Sequence, residues 1–184
     1  MPKPVEIYQI KVTLRDSQPL IWRRIQVRSD ITLAKLHRTL QRVMGWEDAH
    51  LHEFVIQDEH YGVPDQGEEE PRRTKDERKY KLGDVVPGEG SQFRYNYDFG
   101  DYWQHALVIE KTLPAQEGTR YPACLAGARA CPPEDVGGIS GYENFLEALR
   151  DPEHRNMVNT WNGLAATSIP RRLISTRSTK HYVG

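Results

Sequence analysis

An α+β fold, with one twisted and mostly antiparallel sheet and helices on one face, is predicted by three features of the sequence. The N-terminal residues alternate in polarity with a period of two. A single 3.6-period apolar stripe follows. Two aromatic-rich stretches in the middle of the chain then return to the strand pattern.

The elements follow in order. "VEIYQIKVTL" places Ile10, Val12 and Leu14 on one side of a strand. "RDSQP" has turn chemistry, and "LIWRRIQVRS" is β-branched and aromatic, so the two strands read as an antiparallel hairpin. In "SDITLAKLHRTLQRVMGW", Leu33, Leu36, Leu40, Val43 and Met44 fall on one helical face. Ser29, Asp30 or Thr32 can cap that helix, and Gly45 ends it. "HLHEFVIQD" reads as a third strand, giving a β-β-α-β start like that of a β-grasp. Residues 61–79 are charged and turn-rich and read as a mobile surface loop. "SQFRYNYD" and "YWQHALVIEKTL" read as strands joined by a tight turn at Phe99-Gly100. "RYPACLAGARACPPEDVGGISGY" is rich in Pro, Gly and Ala and reads as loop. Phe145, Leu146 and Leu149 mark a further helix before Pro152.

The composition bounds the function. The chain has 184 residues, 38% of them hydrophobic and 28% charged, with a formal net charge of -1, as expected of a globular domain in the cytoplasm. No apolar run is long enough for a membrane helix, so no membrane partner is expected. Two cysteines, Cys124 and Cys131, do not make a disulfide framework, and their spacing is unlike a zinc ribbon. Charge is segregated: residues 1–46 carry nine basic and three acidic side chains, whereas residues 47–70 carry nine acidic ones and no Lys or Arg. The acidic stretch can fold back over the basic face. Alternatively the basic third can touch nucleic acid through Arg23, Arg24, Arg38 and Arg42.

The chemistry-bearing residues gather in "YNYDFGDYWQH". With Phe99 and Gly100 at the centre of the turn, Arg94, Asn96, Asp98, Asp101, Trp103 and His105 share one face, and Tyr95, Tyr97 and Tyr102 the other. Gly100 is then expected to supply the positive φ, with Asp98 accepting backbone N–H bonds beside it. Carboxylates and imidazole on one face can bind a divalent metal or move protons. His50 and His52 in "HLHEF" would point to one side of a strand. The metal-ligand candidates are therefore His50, His52, His105, Asp98 and Asp101. The candidate ligand pocket is His52, Tyr61, Asp98, Asp101, Trp103 and His105. Glu134 and Asp135 can serve as acids or as helix-capping turn residues, and the turn reading is favoured. No phosphate loop, dinucleotide fingerprint or nucleophile elbow is present.

Taken together, "IYQIKVTLRDSQPLIWRRIQV", "TLAKLHRTLQRVMGWEDAHLHEFVI", "YNYDFGDYWQHALVIE" and "CPPEDVGGISGYENFLEALRDPEH" resemble the plasmid pRiA ORF-three-like family, from about Val5 to about Trp161. The resemblance implies an α+β fold and an association with plasmids and mobile elements, with no established activity. Relatives often carry a third cysteine after "CPPED", where this chain has Val136. They also tend to end in an acidic stretch. Here no acidic residue follows Glu153. Codons compatible with Ile169 to Val183 can encode such an ending in a shifted frame. Residues 1–163 are accordingly expected to form one domain, and 164–184 an atypical basic, poorly ordered tail produced by a frameshift.

The expected function is a binding or adaptor domain for a protein or small-molecule ligand, which leans away from an enzyme and needs no cofactor beyond a possible divalent metal. The alternatives are a metal-dependent hydrolase acting on nucleic acid and a DNA-binding accessory protein.

Overall fold

A computed structural model describes residues 4–64, 74–150 and the backbone of 181–182. Strands β1 (Glu6–Leu14) and β2 (Ile21–Arg28) form the expected hairpin. Helix α1 (Leu33–Met44), β3 (His52–Ile56), β4 (Glu59–Gly62) and the short β5 (Lys75–Asp76) follow. A short 3-10 helix (Glu77–Lys79) and α2 (Leu82–Val85) lead to β6 (Gln92–Tyr97), β7 (Trp103–Pro114), β8 (Ala123–Ala128), α3 (Gly138–Arg150) and β9 (His181–Tyr182).

The strands make one sheet in the order β5-β4-β3-β6-β7-β1-β2-β8-β9. Among the described residues, only the β4–β5 pairing is parallel. On β1 the side chains of Tyr8, Ile10, Val12 and Leu14 are buried on one face, as the period-two pattern requires. They share one core with Leu33, Leu36 and Leu40 of α1, Leu82 of α2, and Tyr142 and Phe145 of α3. The α+β architecture, mostly antiparallel and with its helices packed on one face, is thus the observed one. The other face carries Gln9, Lys11, Thr13, Arg24 and Gln26, all partly exposed.

Helix α1 starts where Thr32 accepts a bond from the Lys35 N–H. It ends at Gly45, whose φ of 86° suits glycine and whose N–H reaches the Gln41 carbonyl. Arg23 reinforces that end. Its guanidinium donates to the carbonyls of Val43 (2.8 Å), Trp22 (2.8 Å) and Ala128 (3.1 Å), and to Cys131 Sγ (3.3 Å).

Two expectations are corrected. The stretch 61–79 is not one loop. Tyr61 and Gly62 belong to β4, and Lys75–Asp76 pairs with them in parallel. Glu77 then turns inward to be almost fully buried. The alanine-rich segment after Tyr121 is not all loop either. "ACLAGA" is β8, because it can pair with the free edge of β2, where little side-chain bulk is required. The domain boundary at 163/164 and the tail 164–184 lie outside the described residues, except that His181 and Tyr182 pair with Cys124 and Ala123. Among the described residues, no helix is long and apolar enough to cross a membrane.

Candidate metal centre

The connection between β6 and β7 positions the site. Tyr97 pairs with Trp103, Tyr95 with His105 and Arg94 with Ala106. The turn therefore spans five residues, Asp98–Tyr102, and the register is one residue away from that of a tight turn centred on Phe99-Gly100. The cause is local. Positive φ occurs at Asp98 (58°) and Tyr102 (56°), and not at Gly100. The Asp98 carbonyl accepts from the Tyr102 N–H at 2.6 Å. Its carboxylate accepts from the N–H groups of Gly100 (2.9 Å) and Asp101 (3.3 Å), as Asx turns do. One residue of slip sends alternate side chains to the other face.

Trp103 and His105 accordingly leave the predicted polar face and join Tyr95 and Tyr97 in the core, both with 0% exposure. His105 Nδ1 donates to the Tyr95 carbonyl at 3.2 Å, and burial pushes its pKa down to about 4, so the ring is neutral.

His52 and Tyr61 are also enclosed, each among its own partners. His52 Nε2 lies 2.8 Å from Glu77, and its ring stacks on His37. Tyr61 packs edge-on against Tyr80, with Lys75 over its ring. The six residues of the expected ligand pocket therefore do not line one cavity, and the five candidate metal ligands do not converge on one point.

A different set converges. His50 precedes β3, so its side chain is free of the strand alternation that directs His52 inward. Its Nε2 is 3.1 Å from Asp135 Oδ1 and 3.7 Å from Asp98 Oδ2. One ligand atom from each of the three residues lies within 4.8 Å of the other two. The three come from separate segments, each fixed by its own bonds. The N–H groups of Ala49 and His50 donate to the Tyr97 hydroxyl at 3.0 and 3.3 Å, which in turn donates to Glu134. Burial and the Glu134 carboxylate raise the Tyr97 pKa. The Asp98 N–H reaches the Leu51 carbonyl at 2.9 Å. The "CPPEDVGG" segment is held by Trp46 Nε1, which donates to the Pro132 carbonyl at 2.9 Å, and by Asp101 Oδ2, which accepts from the Gly137 N–H at 3.0 Å. Gly138 sits so close to Asp101 that a Cβ would come within 2.8 Å of its carbonyl oxygen.

Asp101 is thus spent on backbone, while Asp135, read chiefly as a turn residue, completes the cluster at a φ of 57°. Asp98 is 9% exposed, His50 27% and Asp135 67%, so the cluster opens to solvent on the Asp135 side. Imidazole plus two carboxylates is a donor set for zinc, manganese or ferrous iron. The cysteines take no part. Both are free, and burial raises the Cys131 thiol to about 11.

The four arginines considered for nucleic acid are dispersed. Arg23 turns toward the helix layer, whereas Arg24 pairs with Glu110 at 2.6 Å on the opposite sheet face. Arg38 and Arg42 are exposed on α1.

The family model described as "Plasmid pRiA4b ORF-3-like protein" matches residues 6–166. The uncharacterized protein y4hQ of Sinorhizobium fredii (strain NBRC 101917 / NGR234) is 44% identical over 160 residues, which cover 85% of this chain and 81% of the relative. The crystal structure of a protein of unknown function, MM3350 from Methanosarcina mazei Go1, is similar with a TM-score of 0.73 and 38% identity, over 86% of this chain and 90% of that one. With residues 6–166 matched by the family model and a relative 44% identical over 85% of its length, the chain belongs to the plasmid pRiA4b ORF-3-like protein family.

Proposed function

We propose that this protein is a metal-binding domain in which His50, Asp98 and Asp135 hold one divalent transition ion. The expected binding or adaptor role thereby acquires a specific ligand. One observation carries this reading. His50 Nε2 is shielded from solvent and has no aligned hydrogen bond, although two carboxylates approach it. An imidazole nitrogen in that position is satisfied by an ion lying between the three groups, and the negative charge of the cluster favours a cation there.

Titration of metal-stripped, tag-free protein with Zn2+ or Mn2+ by calorimetry tests it. One ion per chain should bind, His50→Ala and Asp135→Ala should abolish the heat, and His52→Gln should preserve it. A folded protein that takes up neither ion would refute the reading.

A second reading, metal-dependent hydrolysis of phosphodiesters, is favoured by the ligand count. Three protein ligands leave coordination positions for water and substrate, as catalytic sites do. Glu134, next in the chain to Asp135, lies beside the cluster. Metal-dependent release of nitrophenol from bis(p-nitrophenyl) phosphate, lost in His50→Ala, would support hydrolysis. Its absence in a metal-loaded protein would leave the binding role alone.

A further inference from the structure

Tyr97 is tied to every segment that carries a ligand of the proposed metal centre. Asp98 is the next residue in the chain, just past the end of β6. The Ala49 and His50 N–H groups donate to the Tyr97 hydroxyl at 3.0 and 3.3 Å. The hydroxyl in turn donates to Oε1 of Glu134, the neighbour of Asp135. A hydroxyl offers one donor and two acceptor positions, so this one is fully used. Ring contacts repeat the same links. The His50 imidazole stands edge-on to the Tyr97 ring, with 5.9 Å between centroids and 73° between planes. Trp46 stacks on that ring at 5.0 Å and holds the Pro132 carbonyl through its Nε1.

The hydroxyl's partners lie 37 to 48 residues away in the chain, so these bonds fasten distant segments to each other rather than shaping a local turn. Burial, and then the Glu134 carboxylate, raise the Tyr97 pKa, so the phenol keeps its proton and the bond to Glu134 keeps its direction. Glu134 Oε2 accepts from the Glu47 N–H at 3.4 Å, so both carboxylate oxygens already serve this frame. Asp98 is fixed by its own turn. His50 and Asp135 lie outside the strands and helices, and their spacing needs such a tie. Groups that orient metal ligands from the outer shell matter to affinity although they never touch the ion.

We propose that Tyr97 is the positioning residue of this centre, with Glu134 relaying its hold to Asp135. The phenol sets the spacing of His50, Asp98 and Asp135, so that the ion meets a frame already assembled. The inference rests on the metal-binding reading and gives neither Tyr97 nor Glu134 a bond to the ion.

Visible absorption of Co2+ added to the metal-stripped, tag-free full chain tests it, because the ligand-field bands report both occupancy and geometry. Tyr97→Phe, which keeps the ring on Trp46, should weaken uptake roughly 10- to 100-fold and shift the bands at saturation. Glu134→Ala should weaken it to a similar degree. Glu134→Gln, whose amide oxygen still accepts from the phenol, should keep near wild-type affinity and bands. Tyr97→Phe combined with Glu134→Ala should be no weaker than either alone, as expected of two groups acting through one bond. Val27→Ala, a core truncation at the far end of β2, should lower stability and leave affinity and bands unchanged. Wild-type affinity in Tyr97→Phe, or equal affinity in the two Glu134 variants, would overturn the positioning role and leave the metal domain intact. Weakening by Val27→Ala as large as that by Tyr97→Phe would overturn it too, since lost stability would account for both. If Tyr97→Phe does not fold, the two Glu134 variants decide. Wild-type protein that takes up no Co2+ would refute the metal reading, and the inference with it.

Discussion

The imidazoles of His37 and His52 lie face to face, 3.4 Å between centroids and 3° from parallel. Each is held by a carboxylate, His37 Nε2 by Asp48 at 2.7 Å and His52 Nε2 by Glu77 at 2.8 Å. His37 Nδ1 accepts from the Tyr95 hydroxyl at 2.7 Å. That hydroxyl accepts from Gln41 Nε2, and Gln41 Oε1 accepts from the Asp48 N–H. The ring of bonds closes with a neutral His37, and every partner is satisfied. Burial first, and then the neighbouring His52, lower the His37 pKa.

Acid should therefore unfold the protein earlier than its carboxylates alone would require. Below pH about 6.5 an unfolded histidine takes a proton. Folded His105 resists until about pH 4, and His37 is displaced in the same direction. The unfolded state then binds more protons, so the stability present above pH 6.5 is lost as pH falls toward 4. The His105 share is on the order of 3 kcal/mol. Urea midpoints measured from pH 7 to pH 4 should fall steeply, and less so in His105→Gln. Parallel profiles for the two proteins would exclude this role.

Arg23→Ala should cost about 2 kcal/mol, because it strips donors from the Val43 and Ala128 carbonyls at once. Arg23→Lys should recover little, since an ammonium cannot span both carbonyls and Cys131. Arg38→Ala, on the exposed side of α1, should stay within about 0.5 kcal/mol. Equal losses for Arg23 and Arg38 in thermal unfolding would contradict the assignment.

At the β6–β7 turn, Asp98→Ala should cost roughly 1–3 kcal/mol, since it removes the acceptor for two N–H groups at a left-handed residue. Asp98→Asn should keep most of the stability but lose metal affinity. Gly100→Val should cost less than Asp98→Ala. Gly100 is not left-handed, and its added Cβ would meet only the Asp98 carboxylate, at 3.2 Å. Denaturant unfolding ranks the three, and a reversed order would reject this account of the turn.

Tyr102 holds a φ of 56°, where a bulky side chain is strained. Tyr102→Gly should stabilise the protein by up to about 1 kcal/mol in denaturant unfolding. A loss of stability would show that the ring contributes packing that its 49% exposure conceals.

Much of the architecture is legible in the sequence, because β1, β2 and α1 each repeat a clear period around Ile10, Ile25 and Leu36. β8 is not legible, since "ACLAGA" lacks the branched residues that mark strands, and only the free edge of β2 makes it one. The hairpin itself is legible but its register is not. A two-residue and a five-residue turn differ in where positive φ falls, and Asp98 and Tyr102 do not advertise it. That single slip separates Trp103 and His105 from Asp98. His50 and His52 likewise look like a pair at strand spacing, but the strand begins only at His52. The partner of His50 is Asp135, 85 residues away, a proximity no local pattern encodes.

The central place of β1 in the sheet has a consequence for synthesis. One edge of β1 finds β2 within a few residues, but the other is covered only by β7, with Leu14 opposite His105 and Glu6 opposite Pro114. A chain emerging from the ribosome thus holds its first hairpin with an open hydrogen-bonding edge for roughly ninety further residues. That interval is when the nascent protein is most exposed to pairing with a stranger, and when a chaperone would matter most.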